Sequence, residues 1–188
     1  MLRGVRSILL PLALLAGSIG DSWSQVFITE SGKAEFISDA PLREFSGTSE
    51  KLNGLIDLSQ NLLDFYLDLN TLKTGIGLRD RHMRENYLET KKYPFAEFSG
   101  KLDEIPDLRP GMSSSVTASG HFTIHGVKKP LVVSGQLTME DMGYLRLEAG
   151  FIVLLSDFNI SIPKLVFYEL AEEQKVRISA TLNPKTNE

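Results

Sequence analysis

The sequence predicts an all-β fold, an antiparallel barrel or sandwich. Two observations carry that prediction. Segment after segment alternates apolar and polar residues with a period of two, and only one stretch has helical spacing. The clearest alternation is in 116–125. Val116, Ala118, Gly120, Phe122 and Ile124 share one face, and Thr117, Ser119, His121, Thr123 and His125 share the other. A tight turn at Gly126 then leads into the next strand through Val127-Lys128-Lys129-Pro130.

The elements follow in order. The chain has 188 residues, enough for one domain with a sizeable core. Its first segment reads as a leader rather than as part of the fold. Arg3 and Arg6 precede an apolar run, Ile8 to Ala16, and small or polar residues follow through Ser24. That is the organisation of a secretory signal peptide, with cleavage expected after Ser24 and a cut after Gly20 as the alternative. The run is too short to span a bilayer. Loss of two arginines and Asp21 would take the net charge from −4 to −5.

Strands are expected at Gln25–Thr29 and Lys33–Ser38, separated by a turn at Ser31-Gly32. Leu42–Ser46 ends at Gly47, and Lys51–Leu58 passes a turn or bulge at Asn53-Gly54. Leu62–Leu69 is the cleanest, with Leu63, Phe65, Leu67 and Leu69 opposite Asp64, Tyr66 and Asp68. After a flexible link at Thr74–Gly77, the residues Arg79–Leu88 contain no Pro or Gly. Asp80 and Arg84 are spaced i, i+4, as are Arg81 and Glu85, and Met83 and Tyr87 share a face. One amphipathic helix is expected there, ending before Tyr93-Pro94. Strands resume at Phe95–Leu102, Ser115–His125, Lys129–Met139, Tyr144–Leu155 and Lys175–Asn183. Asp157–Glu173 is irregular, and Pro163 disfavours a central strand there.

Composition narrows the function. A net charge of −4 without a dense basic patch argues against nucleic acid as a partner. There is no cysteine, which rules out disulfides and attachment through a lipidated cysteine and suits a bacterial periplasm or secretion. The three histidines, His82, His121 and His125, lack the spacing and additional ligands of a zinc site, so no metal is expected. His121 and His125 are read as outward polar residues beside a turn. No nucleophile elbow, phosphate loop or dinucleotide fingerprint is present, so neither catalysis nor a cofactor is expected. His82 beside Asp80 is better explained by helix capping and salt bridging than by acid–base chemistry.

The apolar faces remain. Phe36, Leu63, Phe65, Leu67, Phe98, Phe122, Ile124, Val133, Leu137, Phe151 and Ile178 all point to one side of their strands. They either fill a solid core or line a cavity, since barrels of about eight strands do both. Periodicity does not separate a structural barrel without ligand from a binding protein.

Three segments carry a resemblance. Phe45-Ser46-Gly47-Thr48 leads to the Ser/Thr-rich turn at Leu69–Gly75. Arg79-Asp80-Arg81-His82-Met83-Arg84 precedes Tyr93-Pro94-Phe95-Ala96-Glu97-Phe98. Gly120–Pro130 forms a G-x-x-T-I-H-G-V-x-K-P hairpin. In their order and spacing, from Ser38 to about Ser156, these resemble the YceI-like, polyisoprenoid-binding family of bacterial periplasmic proteins. Lys33-Ala34-Glu35-Phe36 matches the family's early strand only in part. The resemblance implies an antiparallel, lipocalin-like barrel of about eight strands with one short helix near a barrel opening. It implies an enclosed isoprenoid or other long-chain lipid, carried or stored in the periplasm. Met83 and Tyr87 would then face the interior from a lid over that opening. Transient membrane contact and a homodimer are compatible with this reading.

Overall fold

A computed structural model describes residues 26–40, 43–162 and 170–185. The expected leader, Gln25, Leu42 and the Leu165–Tyr168 part of the irregular segment lie outside the described residues. Among those described, eight strands form one closed antiparallel barrel: β1 (Val26–Ala40), β2 (Arg43–Asp57), β3 (Leu62–Asp68), β4 (Phe95–Leu102), β5 (Ser113–Ile124), β6 (Val127–Met139), β7 (Leu145–Leu154) and β8 (Glu173–Pro184). Each strand pairs with the next, and β1 pairs with β8 to close the ring. Closure leaves no free sheet edge, which answers the edge problem of an all-β chain.

The first two strands differ from the sequence expectation. β1 and β2 are long and unbroken where a turn was expected at Ser31-Gly32 and a strand end at Gly47; at Asn53-Gly54, read as a turn or bulge, the register shifts as a bulge requires. The chain spends its extra residues on bulges instead. Thr29 pairs with Gly54 and Gly32 with Leu52, so β1 has one residue more over that interval. Gly32 pairs with Leu52 and Ala34 with Ser49, so β2 has one more there. Each bulge reverses the inside–outside phase. On β1, buried Phe27 and Thr29 give way to buried Gly32 and Ala34, an odd step. A strict period of two therefore breaks at these points and reads as a turn.

β3 to β8 follow the expected alternation to within two residues at their ends. The β5–β6 turn is a two-residue hairpin, with His125 at φ 52° and Gly126 at φ 73°. Both central residues have positive φ, the type I′ geometry that matches strand twist.

At one end of the barrel the interior is solid. Phe27, Ile56, Leu137, Leu145 and Leu182 are almost fully buried there, packed with Met139, Leu102 and Ala180. The other end carries the long connections. There, α1 (Gly77–His82) runs directly into a π turn, Met83–Tyr87, closed by the bond from the Leu88 N–H to the Met83 carbonyl (2.9 Å). This is the expected helix, starting two residues earlier and widened in its last turn.

Candidate functional site

Between the solid end and the helix lies a cavity of about 490 Å³. Its wall draws on all eight strands and on the α1 connection. On β5 the lining runs from Val116 to Ile124, about 27 Å of strand and about 20 Å along the axis at ordinary tilt. The floor is Ile56, Leu102, Leu137 and Leu147, and the roof is Met83, Tyr87 and Leu88. Near the roof, Ile76 (49 % exposed) and Leu78 (61 % exposed) both line the cavity and face solvent, so the cavity reaches the surface beside α1.

The structure places every residue selected from the sequence on this wall. Phe36, Leu63, Leu67, Val133, Phe151 and Ile178 come from five different strands. Phe65, Phe98 and Phe122 are direct cross-strand partners, forming one aromatic row across β3, β4 and β5. Phe122 continues the row by edge-to-face contacts with Phe151 (5.4 Å) and Phe158 (5.6 Å). Ile124 sits above this row toward the helix end, and Leu137 lies at the floor.

Sequence reading missed several lining residues. Phe45 is one: ending a strand at Gly47 hid that Phe45 shares the inner face with Gly47 and Ser49. Ile76, Leu78, Arg79 and His82 are others. They come from the connection and the helix, where no period of two could reveal them. Phe158 and Ile160 also pack into the helix-end cluster, although their segment has no regular pattern.

The α1 connection is held down at both roots. On its first side, Thr48 and Lys73 exchange backbone bonds of 2.9 Å, and Ser49 Oγ meets Thr71 Oγ1 at 2.6 Å. The Thr74 amide and hydroxyl both donate to Asp80 Oδ1, at 2.8 and 2.5 Å. Arg79 donates from Nε to Thr74 Oγ1 and from Nη2 to the Thr74 carbonyl, both at 2.9 Å. Its guanidinium lies 4.4 Å from the centre of the Phe45 ring. Burial by itself would raise the Asp80 carboxyl, but the Thr74 bonds and the charges of Arg84 and Arg79 outweigh it. The net effect holds Asp80 below the usual carboxylate value of 3.8. Asp80 is thus spent on Thr74 rather than on an ion pair along the helix.

On the second side, His125 is the anchor. It is not the outward residue expected from the alternation: its side chain is only 10 % exposed. The positive φ of the hairpin turns it out of strand phase and onto the Tyr93 ring, 4.8 Å away. Nε2 meets Glu89 Oε2 at 2.7 Å and Nδ1 meets the Phe158 carbonyl at 3.0 Å. The Phe158 carbonyl can only accept, so Nδ1 donates to it. One imidazole thereby joins the hairpin, the chain after the π turn and the segment after β7. His121, by contrast, is exposed on the outer face. Among the described residues, no group of three His, Asp or Glu is placed to hold a metal ion.

The domain profile of the YceI-like domain matches residues 27–183. The chain belongs to the YceI-like family. Solved structures show the same fold. A polyisoprenoid binding domain from Saccharophagus degradans, implicated in plant cell wall breakdown, is 17 % identical with a TM-score of 0.75, covering 86 % of this chain and 99 % of that one. BcnA of Burkholderia cenocepacia is 14 % identical with a TM-score of 0.63, covering 81 % and 96 %. The YceI protein of Campylobacter jejuni is 17 % identical with a TM-score of 0.55, covering 97 % and 92 %. At such identities the likeness is one of fold. No curated protein matches the sequence. YceI-like domains form a binding-domain family, and the barrel of this fold suits apolar ligands in general.

Proposed function

We propose that this protein is a periplasmic or secreted carrier or store for a long-chain isoprenoid or similar apolar molecule. The observation that carries the reading is the cavity of about 490 Å³, walled almost entirely by aliphatic and aromatic side chains. A structural barrel would fill that space, because interiors pack to crystal-like density and voids forfeit contacts. Here one end is filled and the other is not. The volume lies in the range of ordinary small-molecule sites, and the length suits a chain rather than a compact ring system.

The thirteen lining residues predicted from the sequence form the binding surface in this reading. The row Phe65, Phe98 and Phe122 flanks the tail, and Met83 and Tyr87 close over it. Affinity arises from burying the tail, about 0.8 kcal/mol per methylene, less roughly 4–15 kcal/mol lost on association. A long tail is therefore required, and a short one would not be held. No residue is assigned a catalytic role. Residues 1–24 serve as the export signal, and exchange of ligand takes place by transient contact with a membrane.

Mass spectrometry of an organic extract of natively purified protein tests this. A stoichiometric long-chain lipid is the expected result. A protein that is empty, and that takes up no long-chain lipid when offered one, would overturn it.

A further inference from the structure

Resting on the carrier reading, we infer that the cavity has a head-group subsite at its mouth, formed by Arg79 with His82, that selects amphiphiles with an acidic oxygen head.

The inference begins with the few charges that touch the cavity. Glu35, Arg79, His82 and Glu97 are the titratable lining residues apart from two tyrosines. Glu35 lies between inward Ala34 and Phe36 on β1, and Glu97 between Ala96 and Phe98 on β4, so strand alternation turns both carboxylates outward. The inward amide, Gln174, already serves Ser38 Oγ and the Ala171 carbonyl, at 3.2 and 2.6 Å. Arg79 and His82 therefore remain as the polar side chains that α1 brings to the mouth, with the exposed aliphatics Ile76 and Leu78 beside them.

Arg79 is prepared for a ligand. Two of its three nitrogens are committed to Thr74, and its plane rests on Phe45. Rotational freedom is largely removed before any ligand arrives, which lowers the cost of binding. The third nitrogen, Nη1, takes no hydrogen bond among the described residues. His82, three positions on, is exposed and has no partner among the described residues. A guanidinium nitrogen with free protons demands an acceptor, and a charged oxygen is the strongest. Asp80 offsets part of the Arg79 charge, but its carboxylate is engaged by Thr74 and does not occupy Nη1.

A tail inserted toward Leu137 would leave its head at this mouth, beside α1. A carboxylate or phosphate-ester head satisfies Nη1 there; an ammonium head meets like charge. The site thus separates ligands with the same tail by the sign of their head.

The test uses three probes with one tail: hexadecanoate, hexadecylamine and hexadecanol. Each competes for the cavity against a neutral apolar fluorescent dye. Wild-type protein should bind hexadecanoate at least about tenfold tighter than hexadecylamine, the scale of one charge-assisted hydrogen bond. Arg79→Gln should bring that ratio close to one, because only the charged heads respond to the guanidinium. Arg79→Lys keeps the charge but loses the fork on Thr74, and should retain part of the ratio if the glutamine variant does not fold. Equal wild-type affinity for acid and amine overturns the subsite, as does an Arg79→Gln loss shared equally by all three probes. If hexadecanol binds and the acid shows no advantage, the subsite alone fails. If none of the three displaces the dye, the carrier reading fails with it.

Discussion

The ring of Phe65 occupies the space that a side chain at Gly54 would need. The two residues are cross-strand partners on β3 and β2, and a Cβ at Gly54 would collide with Phe65 Cδ1. Gly54 is therefore a platform that lets a phenylalanine lie across β2 instead of projecting into the cavity. Asn53-Gly54 read as a turn or bulge in the sequence; beside the bulge, the glycine serves a packing role in mid-strand.

Gly54→Ala should accordingly displace Phe65 toward the cavity axis. Overpacking of this kind costs about 1–3 kcal/mol. Urea denaturation should show a lower midpoint, and dye uptake should fall because the cavity narrows. An unchanged midpoint together with full uptake would mean that Phe65 has room elsewhere.

Phe122→Asp tests the aromatic row. Phe122 is 7 % exposed and touches two further aromatic rings. A carboxylate there is buried without a partner, so the variant should fail to fold or should fold without lipid. Phe65→Asp should behave alike. Normal stability and lipid content in both would contradict the register described for β3 and β5.

His125→Phe keeps a ring against Tyr93 but removes both hydrogen bonds. The expected loss is about 1–3 kcal/mol, from two bonds in a partly buried site. The informative readout is local. Hydrogen exchange should quicken at 88–93 and 158–160 more than in β5, because the joint between those segments is what is lost. A uniform effect across the barrel would assign His125 an ordinary core role.

The lid should open before the barrel does. Hydrogen exchange in lipid-free protein should be faster at Arg81–Tyr87 than at Leu63–Leu67, and lipid should slow it. Equal protection in both segments, unaffected by lipid, would make the helix a fixed plug and put entry elsewhere.

Asp80 should make the α1 segment sensitive to acid. Its folded pKa is depressed, so its contribution is complete above the unfolded value, near 3.8, and is lost as pH falls through the lower folded value. Lid protection should drop across that interval, and Asp80→Asn should remove the pH dependence while leaving a weakened lid at neutral pH. A wild-type lid equally protected above and below the interval would show that the Thr74 bonds do not need the charge.

Much of this protein was legible in its sequence. Alternation in 62–69, 95–102 and 116–124 determines strands with one apolar face, because successive side chains on a strand point to opposite sides. Eight such strands have no low-energy arrangement that leaves those faces in water, so a closed body follows. The lining set could be read for the same reason: inward phase is a local property. Phase is lost where a residue is inserted, so the bulges at 29–32 and 49–52 hid the length of β1 and β2, and the strand end read at Gly47 concealed Phe45. Other features belong to the tertiary structure alone. Inward residues fill a barrel or surround a space depending on how eight strands are spaced around the axis, and no single strand encodes that distance. The placing of Arg79 on Phe45, and of His125 between Glu89 and Phe158, depends on contacts 33 or more positions apart in the chain. Their chemistry follows from where the closed ring brings those ends together.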